Sequence, residues 1–80
     1  MTREEIFADV NEVFRDVFDD DSIVVTDSTT SDDIEDWDSL EHINLIAGIE
    51  QQFGMKFTMG QVVTMKNVGE MVDIISSQIN

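Results

Sequence analysis

The chain is small, strongly acidic and free of cysteine. Its 80 residues carry 18 Asp and Glu against 4 Lys and Arg, a formal net charge of −14, so nucleic acid, which is bound through Lys and Arg, is a poor partner. The absence of cysteine excludes disulfides, thiolate metal sites and a Cys nucleophile. Apolar runs are too short to enter a membrane, and the N-terminus lacks the pattern of a secretory signal. We expect one monomeric domain, residues 1–80, in the cytoplasm.

The negative charge is concentrated in the first part of the chain. Residues 1–50 hold 16 acidic and 2 basic residues, whereas residues 51–80 hold 2 of each and are neutral. A one-signed surface of this kind steers partners of opposite charge. Basic protein surfaces are therefore the expected partners, and the acidic region is where they are expected to bind.

A first helix is predicted over residues 3–18. Thr2 and Glu5 have the spacing of a capping box, and the apolar residues that follow recur on one helical face: Ile6, Val10, Val13, Phe14, Val17 and Phe18. The like charges of Asp19, Asp20 and Asp21 are unfavourable at the negative end of a helix dipole, so they are expected to end the helix.

A long loop is predicted between the first and second helices. Residues 19–37 show no helical period and are rich in Thr, Ser and Asp, which is turn and loop composition. Long loops in small domains tend to serve a function. Ile23, Val25, Ile34 and Trp37 are expected to fix this loop to the core.

A second helix begins after Asp38, which has capping-box spacing to Glu41. Its predicted apolar stripe consists of Ile43, Ile46, Ile49 and Phe53. Gly54 is expected to end this helix with a positive φ, and Gly48 within it indicates a close approach by another part of the molecule.

Two further helices complete the predicted fold. Met55–Thr58 reads as an extended connector, and Gln61–Met65 as a short, weak helix. Asn67 then caps a last helix with an apolar face formed by Val68, Met71, Val72, Ile75 and Ile79. The fold class is all-α: a small four-helix bundle, with three main helices, one short helix and a long loop between helices 1 and 2.

The sequence offers little support for catalysis or metal binding. His42 is the only histidine and lies three residues after Ser39, but no Gly-x-Ser-x-Gly motif is present, and we expect His42 on an exposed helix face. Calcium loops starting at Asp19 or Asp27 lack required ligands or the central glycine. No metal site is therefore predicted.

Two features have more than one reading from the residues alone. Met55, Met59, Met65 and Met71 all lie in the neutral part of the chain; they are either adaptable core residues or the lining of a deformable pocket. Ser39 is either an ordinary first-turn residue or an attachment point for a phosphoryl group, which the helix dipole would favour and Asp38 would oppose.

The stretch Ile34–Leu40 with its following helix resembles the acyl carrier protein family, whose hallmark is Asp-Ser-Leu at the start of the second of four helices. Here the motif is Asp38-Ser39-Leu40, followed by Phe53-Gly54 and by Val68-Gly69-Glu70 at the expected distances. The resemblance covers residues 34–75 closely, and the preceding helix and loop agree with it.

This resemblance implies a carrier that is not itself an enzyme. Ser39 would be esterified by 4′-phosphopantetheine, which a phosphopantetheinyl transferase delivers from coenzyme A. The thiol of this arm would carry acyl groups as thioesters between acyl-loading and condensing enzymes. Acyl chains in the family can enter among helices 2, 3 and 4, which gives Gly48 and the methionines a use.

Several departures from the family pattern bear on the pathway. Asp36 stands where glycine is common, Ala47 where methionine is frequent, and the third helix contains no acid. The chain therefore looks more like carriers of specialised pathways, such as polyketide, lipid-modification or aminoacyl-transfer routes, than like the general carrier of fatty acid synthesis. Six residues are predicted to contact partners: Asp36, Asp38, Leu40, Glu41, Ala47 and Glu50.

Two alternative functions, from classes other than carrier proteins, remain open from the sequence. One is an acidic helical adaptor that binds a basic protein without a prosthetic group. The other is a calcium-responsive helical module, which the ligand spacing described above disfavours.

Overall fold

The computed structural model describes all of residues 1–80 and is entirely helical. Four α-helices are joined by loops, and a short 3₁₀-helix, Ser31–Asp33, lies within the long connection between the first two. The α-helices are α1, Arg3–Val17; α2, Ser39–Phe53; α3, Met59–Thr64; and α4, Val68–Ile79. The predicted bundle of three main helices and one short helix is confirmed. No helix is both long and apolar enough to cross a membrane.

The core is built around α1, which packs against both α2 and α4. Thirteen buried apolar residues form one cluster, and the predicted stripes of α1 and α4 supply most of them. In α2 the buried residues are Leu45, Ile46 and Ile49, whereas Ile43 is exposed. The expected stripe was wrong at Ile43 because α2 has apolar residues on more than one face, so that periodicity alone does not identify the buried one.

The ends of α1 show how local hydrogen bonds define it. At the start, Thr2 N donates to Glu5 Oε1 at 2.8 Å, and Glu5 N donates to Thr2 Oγ1 at 3.2 Å, which is the predicted capping box. At the end, Asp19 has a φ of 48°, and the amide of Asp20 donates to Arg15 O at 3.0 Å. This is a Schellman motif, so local hydrogen bonds end the helix at the place where the charges of Asp19, Asp20 and Asp21 were expected to end it.

The long connection is held against α1 by side chains of the helix. Asn11 Oδ1 accepts from Val25 N at 2.7 Å, and Arg15 Nε donates to Ile23 O at 2.8 Å. Val25 is buried, and Ile23, Ile34 and Trp37 are partly buried against the core. The four predicted attachment points of the loop are therefore confirmed.

The same connection also caps the start of α4. Val68 N donates to Thr29 O at 2.9 Å, and Gly69 N donates to Asp27 O at 3.0 Å. Glu70 N donates to the predicted cap, Asn67, at 2.9 Å. Because the first amides of a helix have no partner within it, these three bonds satisfy donors that would otherwise be unpaired.

Arg3 reinforces this junction from the start of α1. Its guanidinium binds the carboxylates of Asp27 in the connection and Asp73 in α4, and these hydrogen bonds raise the pKa of Arg3 above its ordinary value. One side chain therefore links α1, the long connection and α4.

Gly48 and Gly69 are the two glycines at which an added Cβ would come within 3.0 Å of another element. A Cβ at Gly48 would lie 2.9 Å from Val13 Cγ1, so the close approach predicted at Gly48 is made by α1. A Cβ at Gly69 would lie 2.7 Å from the backbone oxygen of Asp27. Backbone atoms move less readily than a side chain, so glycine is more strictly required at position 69 than at position 48.

We expect Gly69→Ala to lower the free energy of unfolding by about 1–3 kcal/mol, because the added methyl group forces the connection away from α4. Urea denaturation followed by circular dichroism measures this change. Gly60→Ala in α3 is the matched control, since nothing lies within 4 Å of its added Cβ. Equal stability of the wild-type and Gly69→Ala chains would contradict the close contact.

The capping box at α1 predicts a pH dependence of stability. The hydrogen bond from the backbone of Thr2 lowers the pKa of Glu5. The stabilisation by the ionised Glu5 carboxylate is therefore complete above the pKa of Glu5 in the unfolded chain, about 4.3, and is lost as the pH falls through its lower pKa in the folded chain. We expect Glu5→Ala to be less stable than the wild type at neutral pH and to approach it in acid. Glu4→Ala is the control in the same urea titrations, and an identical pH profile for both variants would contradict this role of Glu5.

Candidate functional site

Ser39 is the first residue of α2 and is exposed to solvent. The preceding residue, Asp38, caps the helix by accepting from Glu41 N at 2.8 Å. The return bond of the predicted capping box does not form, because Glu41 Oε1 accepts from Asn44 Nδ2 at 3.1 Å instead. The hydroxyl of Ser39 therefore lies at the positive end of a 15-residue helix, beside one carboxylate.

A largely apolar cavity of about 680 Å³ opens beside Ser39. It lies between α2, α3 and the start of α4, with Trp37 from the long connection on one wall. The lining residues that bear on function, besides Ser39, are His42 and Ile43 from α2, Val62 and Val63 from α3, and Met71 from α4. A pocket of this size is in the range that holds a small ligand or an extended chain.

The methionines divide between the two predicted roles. Met55 is buried in the core and does not line the cavity, while Met59, Met65 and Met71 do. Met71 is also fully buried in the core cluster. Gly48 is not among the cavity residues; it faces α1, so its use is in helix packing.

His42 is not the exposed surface residue that the sequence suggested. Its Nδ1 accepts from Trp37 Nε1 at 3.1 Å, and its Nε2 lies 3.2 Å from Val62 O. An indole nitrogen only donates, so Nδ1 is the acceptor and Nε2 donates to the carbonyl. The prediction was wrong because helical spacing does not reveal that Trp37 and α3 cover this side of α2.

These contacts define what the site can do chemically. Both ring nitrogens of His42 are engaged away from Ser39, so His42 is not placed to act as its general base. No group of three or more His, Cys, Asp or Glu side chains is arranged to hold a metal ion. The arrangement is an exposed hydroxyl at the mouth of an apolar cavity, which suits a serine that is modified by another protein.

The six predicted partner residues have different surroundings. Asp36, Asp38, Leu40 and Ala47 are exposed, and Glu41 is half-buried. The carboxylate of Glu50 is engaged within the chain, since it accepts from Phe57 N at 2.8 Å. Glu50 therefore holds the connection from α2 to α3, at the opposite end of α2 from Ser39.

Comparison with known proteins gives the family. The sequence model of the phosphopantetheine attachment site matches residues 5–75. The acyl carrier protein of Petrotoga mobilis is 32% identical over 81 residues, spanning 100% of this chain and 94% of that protein. The acyl carrier protein of Coprothermobacter proteolyticus is 32% identical over 80 residues, spanning 99% of this chain and 96% of that protein.

The chain belongs to the acyl carrier protein family. The structural comparison agrees: the solution structure of a holo acyl carrier protein from Geobacter metallireducens superposes with a TM-score of 0.86 at 42% sequence identity. The match covers 91% of this chain and 84% of that one.

Membership of the acyl carrier protein family settles the general activity. The protein is a carrier, not an enzyme, and it bears a covalent phosphopantetheine group. It works with a transferase and with biosynthetic enzymes. An exposed serine hydroxyl beside an apolar cavity fits such a group, because the hydroxyl is accessible for esterification and the cavity is open to an apolar cargo.

Sequence analysis missed two structural features of this carrier, the cap of α3 and a hydrogen bond between α2 and α3. Thr58 and Gln61 form a capping box, with bonds of 2.9 and 3.1 Å, so α3 begins at Met59 and not at Gln61; the Thr-x-x-Gln spacing was the available signal. The hydrogen bond between His42 and Val62 left no signal in the sequence, because it joins residues on different helices.

We expect His42→Ala to lower the free energy of unfolding by about 1–3 kcal/mol, because the partly buried Trp37 N–H and Val62 C=O lose their partners. Urea denaturation measures stability, and near-ultraviolet circular dichroism reports on the only tryptophan. Asn44→Ala, an exposed position on the same helix, is the control and is expected to change stability by no more than about 0.5 kcal/mol. Equal stability of the two variants would rule out a structural role for the His42 bonds.

Proposed function

We propose that Ser39 is the residue that carries 4′-phosphopantetheine, and that the chain shuttles acyl intermediates as thioesters on that arm. The observation that carries this proposal is the position of Ser39: exposed, at the N-terminus of α2 and at the mouth of the apolar cavity. It also lies in Asp38-Ser39-Leu40, within the matched residues 5–75.

The other serines are less suitable for attachment. Ser31 also lines the cavity, but it belongs to the short 3₁₀-helix of the long connection. Ser22 donates its hydroxyl to Asp20 at 2.6 Å, and Ser77 donates to Ile74 O at 2.8 Å. Ser39 alone combines exposure, the cavity and the start of a long helix.

The chemistry divides between the carrier and its transferase. The Ser39 hydroxyl attacks the phosphorus that bears the pantetheine arm, and its proton passes to a base of the transferase, which His42 does not supply. The new O–P bond forms as the pyrophosphate bond of coenzyme A breaks, and adenosine 3′,5′-bisphosphate leaves. The positive end of α2 favours the phosphate negative charge at this position. The thiol of the bound arm then carries acyl groups as thioesters.

The cavity is the proposed place for the acyl cargo. Met59, Met65 and Met71 contribute flexible side chains to its lining, and such side chains adapt to ligands of different shape. This refines the prediction from the sequence: three of the four methionines line the cavity, whereas Met55 and Gly48 do not.

The pathway and partners are inferred from the distribution of charge. We propose a carrier of a specialised route, such as a polyketide, lipid-modification or aminoacyl-transfer route, that acts as a monomeric domain of residues 1–80 in the cytoplasm. The absence of acids in α3 supports this over general fatty acid synthesis. Asp36, Asp38, Leu40, Glu41 and Ala47 are the proposed contacts of its partner enzymes, and the engaged Glu50 contributes by holding the end of α2.

We expect incubation with coenzyme A and a broad-specificity phosphopantetheinyl transferase to add one phosphopantetheine, measured by intact-protein mass spectrometry. Ser39→Ala is expected to abolish the adduct while keeping the Asp38 cap and the fold. Ser31→Ala is the matched control at the same cavity and is expected to be modified fully. An adduct on Ser39→Ala would place the attachment elsewhere, and no adduct on the wild type with several transferases would favour an acidic adaptor without a prosthetic group.

A further inference from the structure

Lys66 is the one basic side chain that has no partner within the chain. Three of the four basic residues are engaged: Arg3 and Lys56 form ion pairs with carboxylates, and Arg15 donates to a backbone oxygen. The ammonium group of Lys66 is exposed and forms neither an ion pair nor a hydrogen bond. Acidic residues outnumber basic ones by 18 to 4, so a cation without a carboxylate partner is unexpected here.

This unpaired cation borders the same cavity as Ser39. Lys66 lies in the turn between α3 and α4 and contributes to the cavity lining together with Ser39 of α2. Apart from His42, the only titratable side chains in that lining are those of Lys66 and Asp38. The Asp38 carboxylate is engaged as the cap of α2, since it accepts from Glu41 N at 2.8 Å. The cavity therefore has one negative charge next to Ser39 and one unpaired positive charge on another element.

The backbone at Lys66 is held in place by hydrogen bonds. Lys66 N donates to Glu70 Oε2 at 2.6 Å, and Asn67 caps α4 by accepting from Glu70 N at 2.9 Å. Val68 N donates to Thr29 O of the long connection at 2.9 Å. The side chain of Lys66 therefore starts from a fixed point, while its flexible four-carbon stem leaves the ammonium group free to move.

Esterification of Ser39 adds an anion to this cavity. The phosphodiester of the arm is negatively charged at neutral pH, and at this position the positive end of α2 attracts it while the Asp38 carboxylate repels it. Ammonium groups donate charge-assisted hydrogen bonds to phosphate oxygens. Because the other basic side chains are engaged elsewhere, Lys66 is the cation available to offset the added charge.

The phosphate of the arm is a better partner for Lys66 than a carboxylate on the cargo. Both are oxyanions, but the phosphate is attached directly to Ser39, and every holo chain carries it whatever acyl group is loaded. A cargo carboxylate lies beyond the thiol, at the far end of a flexible arm, so holding it costs more conformational entropy.

We propose that Lys66 binds the phosphodiester of the phosphopantetheine arm and so holds the first part of the arm at the cavity, between α2 and the start of α4. This deepens the proposed function and rests on it. The ion pair forms once the arm is attached and involves no covalent step. Exposed ion pairs are weak and are screened by salt, so the expected effect is small and disappears at high ionic strength.

The test compares the thermal unfolding of apo and holo chains at about 50 mM NaCl, where charges are weakly screened. Mass spectrometry first confirms one arm on Ser39 in each holo chain. The measured quantity is the Tm of the holo form minus that of the apo form, in which the effect of a substitution on the fold itself cancels. Lys66→Gln is expected to make this difference about 2–4 °C smaller than in the wild type. Lys66→Arg keeps the charge and is expected to retain the wild-type difference.

Lys56→Gln is the matched control. It removes the same charge from a lysine that pairs with Glu50, towards the opposite end of α2 from Ser39, and it is expected to retain the wild-type difference. At about 500 mM NaCl the effect of Lys66→Gln is expected to fall close to zero. In phosphorus NMR of the holo chains at low salt, the phosphodiester signal is expected to shift in Lys66→Gln and to stay in place in Lys56→Gln.

The proposal is overturned by several results. Equal Tm differences for Lys66→Gln and Lys56→Gln would show that Lys66 acts only through net charge, and an effect that persists at high salt would contradict an ion pair. Loading the holo chains with butyryl or succinyl groups separates the two oxyanions: a Lys66→Gln effect seen only with succinyl would assign Lys66 to a carboxylate of the cargo. Each of these results leaves the proposed function intact, whereas a wild-type chain that gains no arm on Ser39 overturns both.

Discussion

The fold depends on the contact between the long connection and the first turn of α4. The carbonyls of Asp27 and Thr29 accept from the amides of Gly69 and Val68, so residues far apart in the chain satisfy each other's backbone groups. Arg3 joins the same junction through Asp27 and Asp73. Because buried or partly buried backbone groups are costly when unpaired, this contact fixes the path of the connection, and with it the position at which α2 begins.

The position of α2 in turn sets the site. The connection leaves the junction, packs Trp37 against Phe14 with ring centroids 5.3 Å apart, and then enters α2 at Asp38. Trp37 also donates to His42, which reaches Val62 in α3. A short chain of contacts therefore runs from the core of α1 to α3, and it places one wall of the cavity beside Ser39.

Sequence reasoning predicted the elements that depend on local information. The three long helices have caps and periodic apolar faces, so their order and approximate bounds followed from Thr2, Asp38, Asn67 and Gly54. The short helix α3 was predicted from a weaker pattern, and its start was misplaced by two residues. The loop attachments also followed, because Ile23, Val25, Ile34 and Trp37 are apolar residues in a polar stretch. Ser39 was singled out by its position, and the family resemblance gave it a role.

Contacts between distant elements could not be predicted from caps and periodicity in the sequence. The exposed face of α2 and its buried face are both apolar, so Ile43 was assigned to the wrong one. The surroundings of His42 depend on how α3 packs, and the engagement of Glu50 depends on the turn that brings Phe57 back to it. In each case the decisive partner lies on another element, and no residue spacing along a single helix records it.

The shallow packing of α3 has a consequence for the cavity beside Ser39. None of its residues is fully buried, while α1, α2 and α4 share the core cluster. Moving α3 outward breaks the hydrogen bond between His42 and Val62 but leaves the main packing intact, so it costs less free energy than unfolding does. The bundle thus divides into a tightly packed frame of α1, α2 and α4 and one less buried wall, α3, on the side of the cavity.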